Sequence, residues 1–340
     1  MTSPPPLKIV GLFPDGFDKH FVRPAVRAVL AEGGEYQVLD WHCDRPPPEA
    51  DMVRALAAAD VALTGWLTPP LPESLLAQPD RKLKYICNLT GSIKRWIPRC
   101  YLEQSIRVTN WGDGPMWYLA EGNLMLMLAL TREVQRVHRH MVERPQWAYS
   151  YTSPTPTLRE KTIGFVGFGA VARSLLGLLT PFSAKALIYD PFIPSLPPNT
   201  TRCETLEELF SQADIITVQC GLNAKTEGLI GKDLLARLKP HALLINTARG
   251  KIIREKELIE FLKIRPDVSA GLDVFEMEPL PLDSPLLKME NVICYPHSVG
   301  GGQENLQAAA AIQAARNLRA YFQGEPLDAE ITPAKYDLIT

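Results

Sequence analysis

Hydrophobic positions along the chain come in short unbroken runs, and between the runs they recur every three or four residues. The first series of runs is "LKIVGLF" (7–13), "YQVLD" (36–40), "VALTG" (61–65), "KYICNL" (84–89) and "RVTN" (107–110). Each reads as a strand, and the intervening "FVRPAVRAVLAEGG" (21–34) reads as a helix closed by glycine. A second series begins at "KTIGFVGFG" (161–169) and continues through "KALIYD" (185–190), "DIITVQC" (214–220), "ALLINTA" (242–248), "VSAGLDV" (268–274) and "NVICYP" (291–296). Strands that are apolar throughout and alternate with helices predict an α/β fold, with parallel sheets covered on both faces.

Between the two series lies "YLAEGNLMLMLALTREVQRVHRHMVE" (118–143), which predicts a long helix without internal proline. The proline-rich segment at 144–158 predicts a surface loop, and "QENLQAAAAIQAARNLRAYFQ" (303–323) a last helix before a polar tail. A chain of 340 residues is too long for one core, so two domains are expected.

Composition narrows the function classes. With 46% hydrophobic and 22% charged residues and a net charge of −2, neither nucleic acid nor a membrane surface is an expected partner. The N-terminus lacks the basic region and apolar core of a signal peptide, and no apolar run reaches the roughly 20 residues needed to span a bilayer. The six cysteines form no CxxC pair, so no metal site is expected, and reduced thiols point to the cytoplasm.

"TIGFVGFGAVARSLLGLL" (162–179) places a strand, a glycine turn and a helix in series. Gly167 permits the tight turn, Gly169 lets backbone approach a pyrophosphate at the helix N-terminus, and Ala172 is small enough for strand–helix packing. The next predicted strand ends in Asp190, where a carboxylate binds a ribose 2′-hydroxyl and repels a 2′-phosphate. NAD is therefore the expected cofactor, in preference to NADP.

Three further residues each follow a separate predicted strand. Arg249 lies in "LLINTARGKIIREKEL" (243–258), Glu278 in "AGLDVFEMEPLP" (270–281) and His297 in "VICYPHSVGG" (292–301). A lone histidine is ordinarily a hydrogen-bonded loop residue, but this ordered set resembles the D-isomer-specific 2-hydroxyacid dehydrogenase family. The resemblance is carried by the glycine turn and by N-x-x-R-G, D-V-F-x-x-E-P and P-H-x-x-G elements, specifically over residues 83–302.

That resemblance implies hydride transfer between NAD(H) and a small 2-keto or 2-hydroxy acid of D configuration. His297 would be the acid/base, Glu278 its carboxylate partner, and Arg249 the fork that binds the substrate carboxylate and polarises the keto oxygen. A carboxylate beside the imidazole would hold one tautomer and favour the charged form. Ala170, Val171, Thr247 and Ala248 join the expected cofactor contacts, Asp273 is the expected contact to the nicotinamide carboxamide, and the loop "NLTGSIKRW" (88–96) nominates Gly91 and Ser92 for the substrate carboxylate.

The implied architecture is two doubly wound parallel-sheet domains, with a Rossmann cofactor domain at 113–301 inserted in a flavodoxin-like substrate domain at 1–112 and 302–340. The family's substrate cleft lies between its domains, and the 118–143 region commonly builds a homodimer.

Four departures stand out. Lys94, Arg95 and Trp96 replace the usual acidic and amide residues, and "NWGDGPMWYLAE" (110–121), with Trp117, replaces a proline-glycine-x-asparagine approach. Gln219 and Gly221 stand where histidine and proline are frequent, and Arg254 where aspartate is usual. The first two departures put substrate identity in question. A non-catalytic NAD-sensing corepressor of the same fold is the alternative. Formate dehydrogenase is disfavoured by glutamate at 278, and phosphoglycerate dehydrogenase stays open, although 340 residues leave no room for an added regulatory domain.

Overall fold

The computed structural model describes residues 6–143 and 157–338, so most of the expected loop at 144–158 lies outside the described residues. The chain divides into two compact units, Met1–Pro115 with Gly302–Thr340, and Met116–Gly301.

The first unit is built on β1 (Leu7–Leu12), β2 (Gly34–Leu39), β3 (Val61–Thr64), β4 (Tyr85–Asn88) and β5 (Arg107–Thr109). All pair in parallel, in the order β2-β1-β3-β4-β5, the flavodoxin-like arrangement. One face is covered by the helices Pro24–Gly33 and Gln303–Gln323, which pack Val26, Val29, Leu30, Ala311, Ala314 and Leu318 against Ile9, Leu63 and Tyr85. The ending is less polar in role than its composition suggests. Ile331 and Tyr336 are buried, Ile331 N–H donates to the Val108 carbonyl, and Arg107 holds Glu330 through two bonds of 2.8 Å.

The second unit contains β6 (Thr162–Val166), β7 (Lys185–Tyr189), β8 (Thr200–Arg202), β9 (Ile215–Val218), β10 (Leu243–Asn246), β11 (Ser269–Leu272) and β12 (Val292–Cys294). Their order is β12-β11-β10-β9-β6-β7-β8, all parallel, the Rossmann arrangement with its switch point between β6 and β9. β8, with the residues "TTR", has no apolar run and was invisible to the hydrophobic pattern. The last residues of six strands form a single row of register partners: Tyr189, Val166, Val218, Asn246, Leu272 and Cys294. Whatever follows each strand therefore emerges at the same level of one sheet edge.

The single long helix expected over 118–143 is two helices, Met116–Thr131 and Val134–Glu143. Glu133 between them adopts φ 50°, and Thr131 turns its hydroxyl back onto the Met127 carbonyl, a bond that competes with helix continuation. The first helix is apolar and packs Ala120, Leu126, Met127 and Leu130 against Ile163, Phe165 and Ile245. The second is strongly amphipathic and has no fully buried side chain among those described. No helix among the described residues is long and apolar enough to cross a membrane, and all six cysteines are free.

Candidate active site

The glycine turn shows why each of its positions is small. Gly167 has φ 88°, and a Cβ there would lie 2.7 Å from the backbone nitrogen of Cys220 at the end of β9. Only glycine fits that conformation and that approach. Gly169 is the opposite case: a Cβ there would meet nothing within 4 Å, and no side chain caps the helix Ala170–Leu179 that it opens. The first amides of this helix, at Ala170 and Val171, thus have no side-chain cap and lie at the positive end of the helix dipole. Ala172, one turn in, is buried against the sheet. This cradle fits the pyrophosphate of a dinucleotide.

Asp190, the residue after β7, accepts the Phe168 N–H at Oδ2 and the Phe192 N–H at Oδ1, each at 2.8 Å. The carboxylate is thereby fixed against the glycine turn, with further lone pairs available to a ribose hydroxyl. Its position one residue beyond the aligned strand ends matches that of Gly167, Gln219, Thr247 and Asp273.

Below this edge lies a polar cluster that sequence reasoning did not anticipate. Asn123 is fully buried in the apolar helix Met116–Thr131 and donates to Thr247 Oγ1 at 2.8 Å. Its Oδ1 accepts from Gln219 Nε2 at 2.8 Å and from Thr217 Oγ1 at 3.3 Å. Gln219, a departure from the family pattern, thus ties β9 to β10 through a shared asparagine. The available signal was one asparagine inside "LAEGNLMLMLAL", where burial demands partners.

Arg249 lies three residues past β10, in a loop that Asn246 braces by accepting the Ala248 N–H at 3.1 Å and donating to the Arg249 carbonyl at 3.1 Å. The guanidinium is half-buried, and among the described residues its one hydrogen bond is from Nη1 to the Ala248 carbonyl, 2.6 Å. Burial pushes its pKa down, and the negative charge of Glu278 partly offsets this. The next residue, Gly250, packs so close to the Phe275 backbone that a Cβ would fall 1.9 Å from its carbonyl carbon. The loops carrying Arg249 and Glu278 are therefore docked main chain to main chain.

Glu278 is held in turn. Its Oε1 accepts the Phe275 N–H at 3.0 Å, and its Oε2 lies 2.7 Å from His297 Nδ1. Glu276 and Glu255 exchange backbone-to-carboxylate bonds of 2.9 and 3.0 Å, which pin the same loop to the helix Glu255–Ile264. His297 has φ 50°, and its own N–H donates to the Asp273 carbonyl at 2.9 Å. With Nδ1 committed to Glu278, Nε2 is the nitrogen free to exchange a proton.

The remaining expected positions fall elsewhere. Gly91 and Ser92 belong to the other unit, in a loop organised by the buried Asn88, whose Nδ2 donates to the carbonyls of Thr90 and Ser92. Trp96 is a core residue there, donating to Asn88 Oδ1 at 2.9 Å, and Lys94 lies 5.6 Å over the Tyr336 ring. Trp96 is thus structural, not substrate-facing as its departure from the pattern suggested. Arg254 is also structural: its Nε donates to the Gly228 carbonyl at 3.0 Å, and it pairs with Glu257. Trp117 is exposed.

Asp273 is 2% exposed and accepts the N–H groups of Ser298 and Val299 at 2.8 and 3.1 Å. Burial pushes its carboxyl up from 3.8 to about 6; the two amides and His297 pull it down, and Glu278 adds to the rise. The fold therefore favours the protonated acid. Its contribution to stability is fully present below pH 3.8 and is lost as pH rises through about 6. Asp273→Asn keeps the acceptor oxygen and removes the charge. In urea unfolding, the variant should gain on wild type as pH rises from 4 to 7, by about 2 kcal/mol at ~1.4 kcal/mol per pKa unit. A difference independent of pH would show that Asp273 is not penalised by burial.

Residues 124–299, more than half of the chain, match the profile "D-isomer specific 2-hydroxyacid dehydrogenase, NAD binding domain". A glyoxylate reductase from Thermofilum pendens is 36% identical over 291 residues, covering 83% of this chain and 84% of that one. A glyoxylate reductase/hydroxypyruvate reductase from Homo sapiens is 28% identical over 315 residues, covering 90% and 94%. Among solved structures, the NAD complex of a D-isomer specific 2-hydroxyacid dehydrogenase from Lactobacillus delbrueckii ssp. bulgaricus shares the fold, with a TM-score of 0.76 at 19% identity over 95% of this chain and 99% of that one. With the glycine cradle, the aligned strand ends and these matches in place, the chain belongs to the D-isomer-specific 2-hydroxyacid dehydrogenases, a family of NAD-dependent oxidoreductases.

Proposed function

We propose that the protein reduces small 2-keto acids to D-2-hydroxy acids with NADH, and catalyses the reverse oxidation. The observation that carries this reading is the 2.7 Å contact between His297 Nδ1 and Glu278 Oε2, beside a half-buried guanidinium that makes one hydrogen bond among the described residues. A half-buried guanidinium with its planar fork of donors suits an anionic, planar ligand, and a carboxylate next to a carbonyl is such a ligand.

The bound nicotinamide supplies or accepts the hydride. Every other task falls to the chain. The amides of Ala170 and Val171 hold the pyrophosphate, Asp190 takes the ribose hydroxyls, and Thr247, Ala248 and Asp273 line the cofactor's reactive end. Arg249 grips the substrate carboxylate and polarises the keto oxygen, and Gly91 and Ser92 add backbone donors to the carboxylate. As the carbonyl carbon gains hydride, its oxygen takes the proton from His297 Nε2. Glu278 stays hydrogen-bonded at Nδ1 throughout, stabilising the ring while it is charged and keeping it oriented when neutral. In oxidation the same nitrogen receives the hydroxyl proton.

The unit Met116–Gly301 carries the cofactor in this reading, and the unit Met1–Pro115 with Gly302–Thr340 shapes the substrate. Six free thiols suit a reducing compartment, the cytoplasm. Exposed Val134, Met141 and Val142 on the amphipathic helix fit a homodimer contact, which a monomer in analytical ultracentrifugation would contradict.

The test is cofactor oxidation with a panel of 2-keto acids, using NADH and NADPH, on wild type and Arg249→Lys. NADH should serve better than NADPH, because Asp190 repels the 2′-phosphate. Lysine keeps the charge but loses the two-pronged geometry, so kcat/KM should fall by about 100-fold, with NADH affinity retained. Consumption of NADH by no keto acid, or near-normal turnover in Arg249→Lys, would overturn the reading.

A further inference from the structure

The loops after β3, β4 and β5 emerge at one edge of the first unit's sheet and carry aromatic groups that the hydride chemistry does not use. The indole of Trp111 lies flat on Gly91: a Cβ at Gly91 would sit 2.5 Å from Cε2, Cζ2 and Nε1 of the ring alike. Trp66 meets Trp111 edge-on, with centroids 6.0 Å apart at 86°. The series continues inward through Phe21, 5.7 Å from Trp66, to Phe13, 5.6 Å from Phe21. The two phenylalanines are buried in the core, whereas both indoles are only partly covered. Each indole is thus packed against an aromatic neighbour and still partly exposed.

The loop that presents Trp66 is held in a costly conformation. Thr68 accepts the Gly65 N–H and donates to the Leu12 carbonyl, both at 2.9 Å. The turn so closed puts Leu67 at φ 73° and leaves its side chain 53% exposed. A branched residue held left-handed and apolar at a strand's C-terminal edge is the kind of local strain that accumulates at ligand sites.

We propose that Trp66 and Trp111 form the wall that receives the C3 substituent of the keto acid, and that the preferred substrates carry an aromatic group there. This rests on the reading that the amides of Gly91 and Ser92 hold the substrate carboxylate. In a 2-keto acid the carbon chain starts beside the carboxylate, so the surface bordering those amides is the first that it meets. Two rigid indoles at right angles offer a face and an edge to a third ring, an arrangement that aromatic groups favour beyond simple burial. The hydrogen of glyoxylate would leave both rings facing water. A phosphate would find no counter-charge on either indole and would lose hydration without compensation.

The experiment has two arms, on wild type, Trp66→Ala, Trp111→Ala and the conservative Trp66→Phe and Trp111→Phe. In the first, kcat/KM is measured with NADH for phenylpyruvate and glyoxylate. Wild type should favour phenylpyruvate at least about tenfold, the ratio should fall about tenfold in either alanine variant, and phenylalanine should restore part of it. In the second, binding of phenyllactate and glycolate to the NAD-loaded protein is followed by isothermal calorimetry. Phenyllactate should bind at least about tenfold tighter, and the advantage should vanish in the alanine variants. If keto acids turn over but neither ratio responds to the tryptophans, the aromatic wall is refuted while the dehydrogenase reading stands. If nothing turns over yet phenyllactate binds through these residues, the wall stands and the dehydrogenase reading falls. Should an alanine variant fail to fold, a wild type that prefers glyoxylate, or phenylalanine variants with an unshifted ratio, would still refute the wall.

Discussion

Parallel pairing in register is the constraint on which the site depends. Because Tyr189, Val166, Val218, Asn246, Leu272 and Cys294 are successive register partners, the loops after six strands start level with one another at a single edge. A slip of one residue in any pair would invert the burial of that strand and shift its loop along the edge. The glycine turn, Asp190, Gln219, Thr247 and Asp273 each need only one step beyond this row, and Arg249 and His297 need three. The candidate residues are thus placed by the sheet, and the loops make only short adjustments.

Those adjustments are stiff because main chain, not long side chains, fixes them. Gly250 against the Phe275 backbone couples the Arg249 and Glu278 loops without an intervening side chain. The Phe275 N–H orients Glu278, the Asp273 carbonyl orients the His297 backbone, and the Asp273 carboxylate catches the next two amides at Ser298 and Val299. Burying Asp273 for this purpose raises its pKa, a strain that a polar edge of this kind carries in exchange for rigidity.

Much of this was legible in the residues. Short apolar-rich runs located eleven of the strands, most sharply the inner ones such as β3, β4, β9 and β10, which are buried throughout and so have no polar side to blur the pattern. His297, Glu278, Arg249 and the glycine turn were nominated by the resemblance of their motifs, each just after a predicted strand, and the structure sets Glu278 Oε2 2.7 Å from His297 Nδ1. The misses share a cause: contacts distant in sequence. Nothing local in "ALTREV" indicates that Thr131 bonds back to Met127 and that Glu133 turns left-handed, so the helix break went unseen. Trp96 reads as a surface departure until Asn88 is placed beside its indole nitrogen. Asn123 and Gln219 acquire a role only when the helix Met116–Thr131 is laid on β9 and β10. The short β8 carries no apolar signature at all.

The proposed role of Glu278 in proton transfer runs through His297. A double-mutant cycle on kcat/KM for keto-acid reduction tests it most directly, with Glu278→Gln, His297→Asn and the two combined. Gln retains the Phe275 bond and loses the charge facing Nδ1. His297→Asn should cost about 10²–10⁴-fold, the range expected for a general acid, and Glu278→Gln alone roughly tenfold or more. In the His297→Asn background the glutamate change should then cost less than about twofold, because its partner is gone. Equal losses from Glu278→Gln in both backgrounds would mean that the two side chains act independently, and would contradict the account.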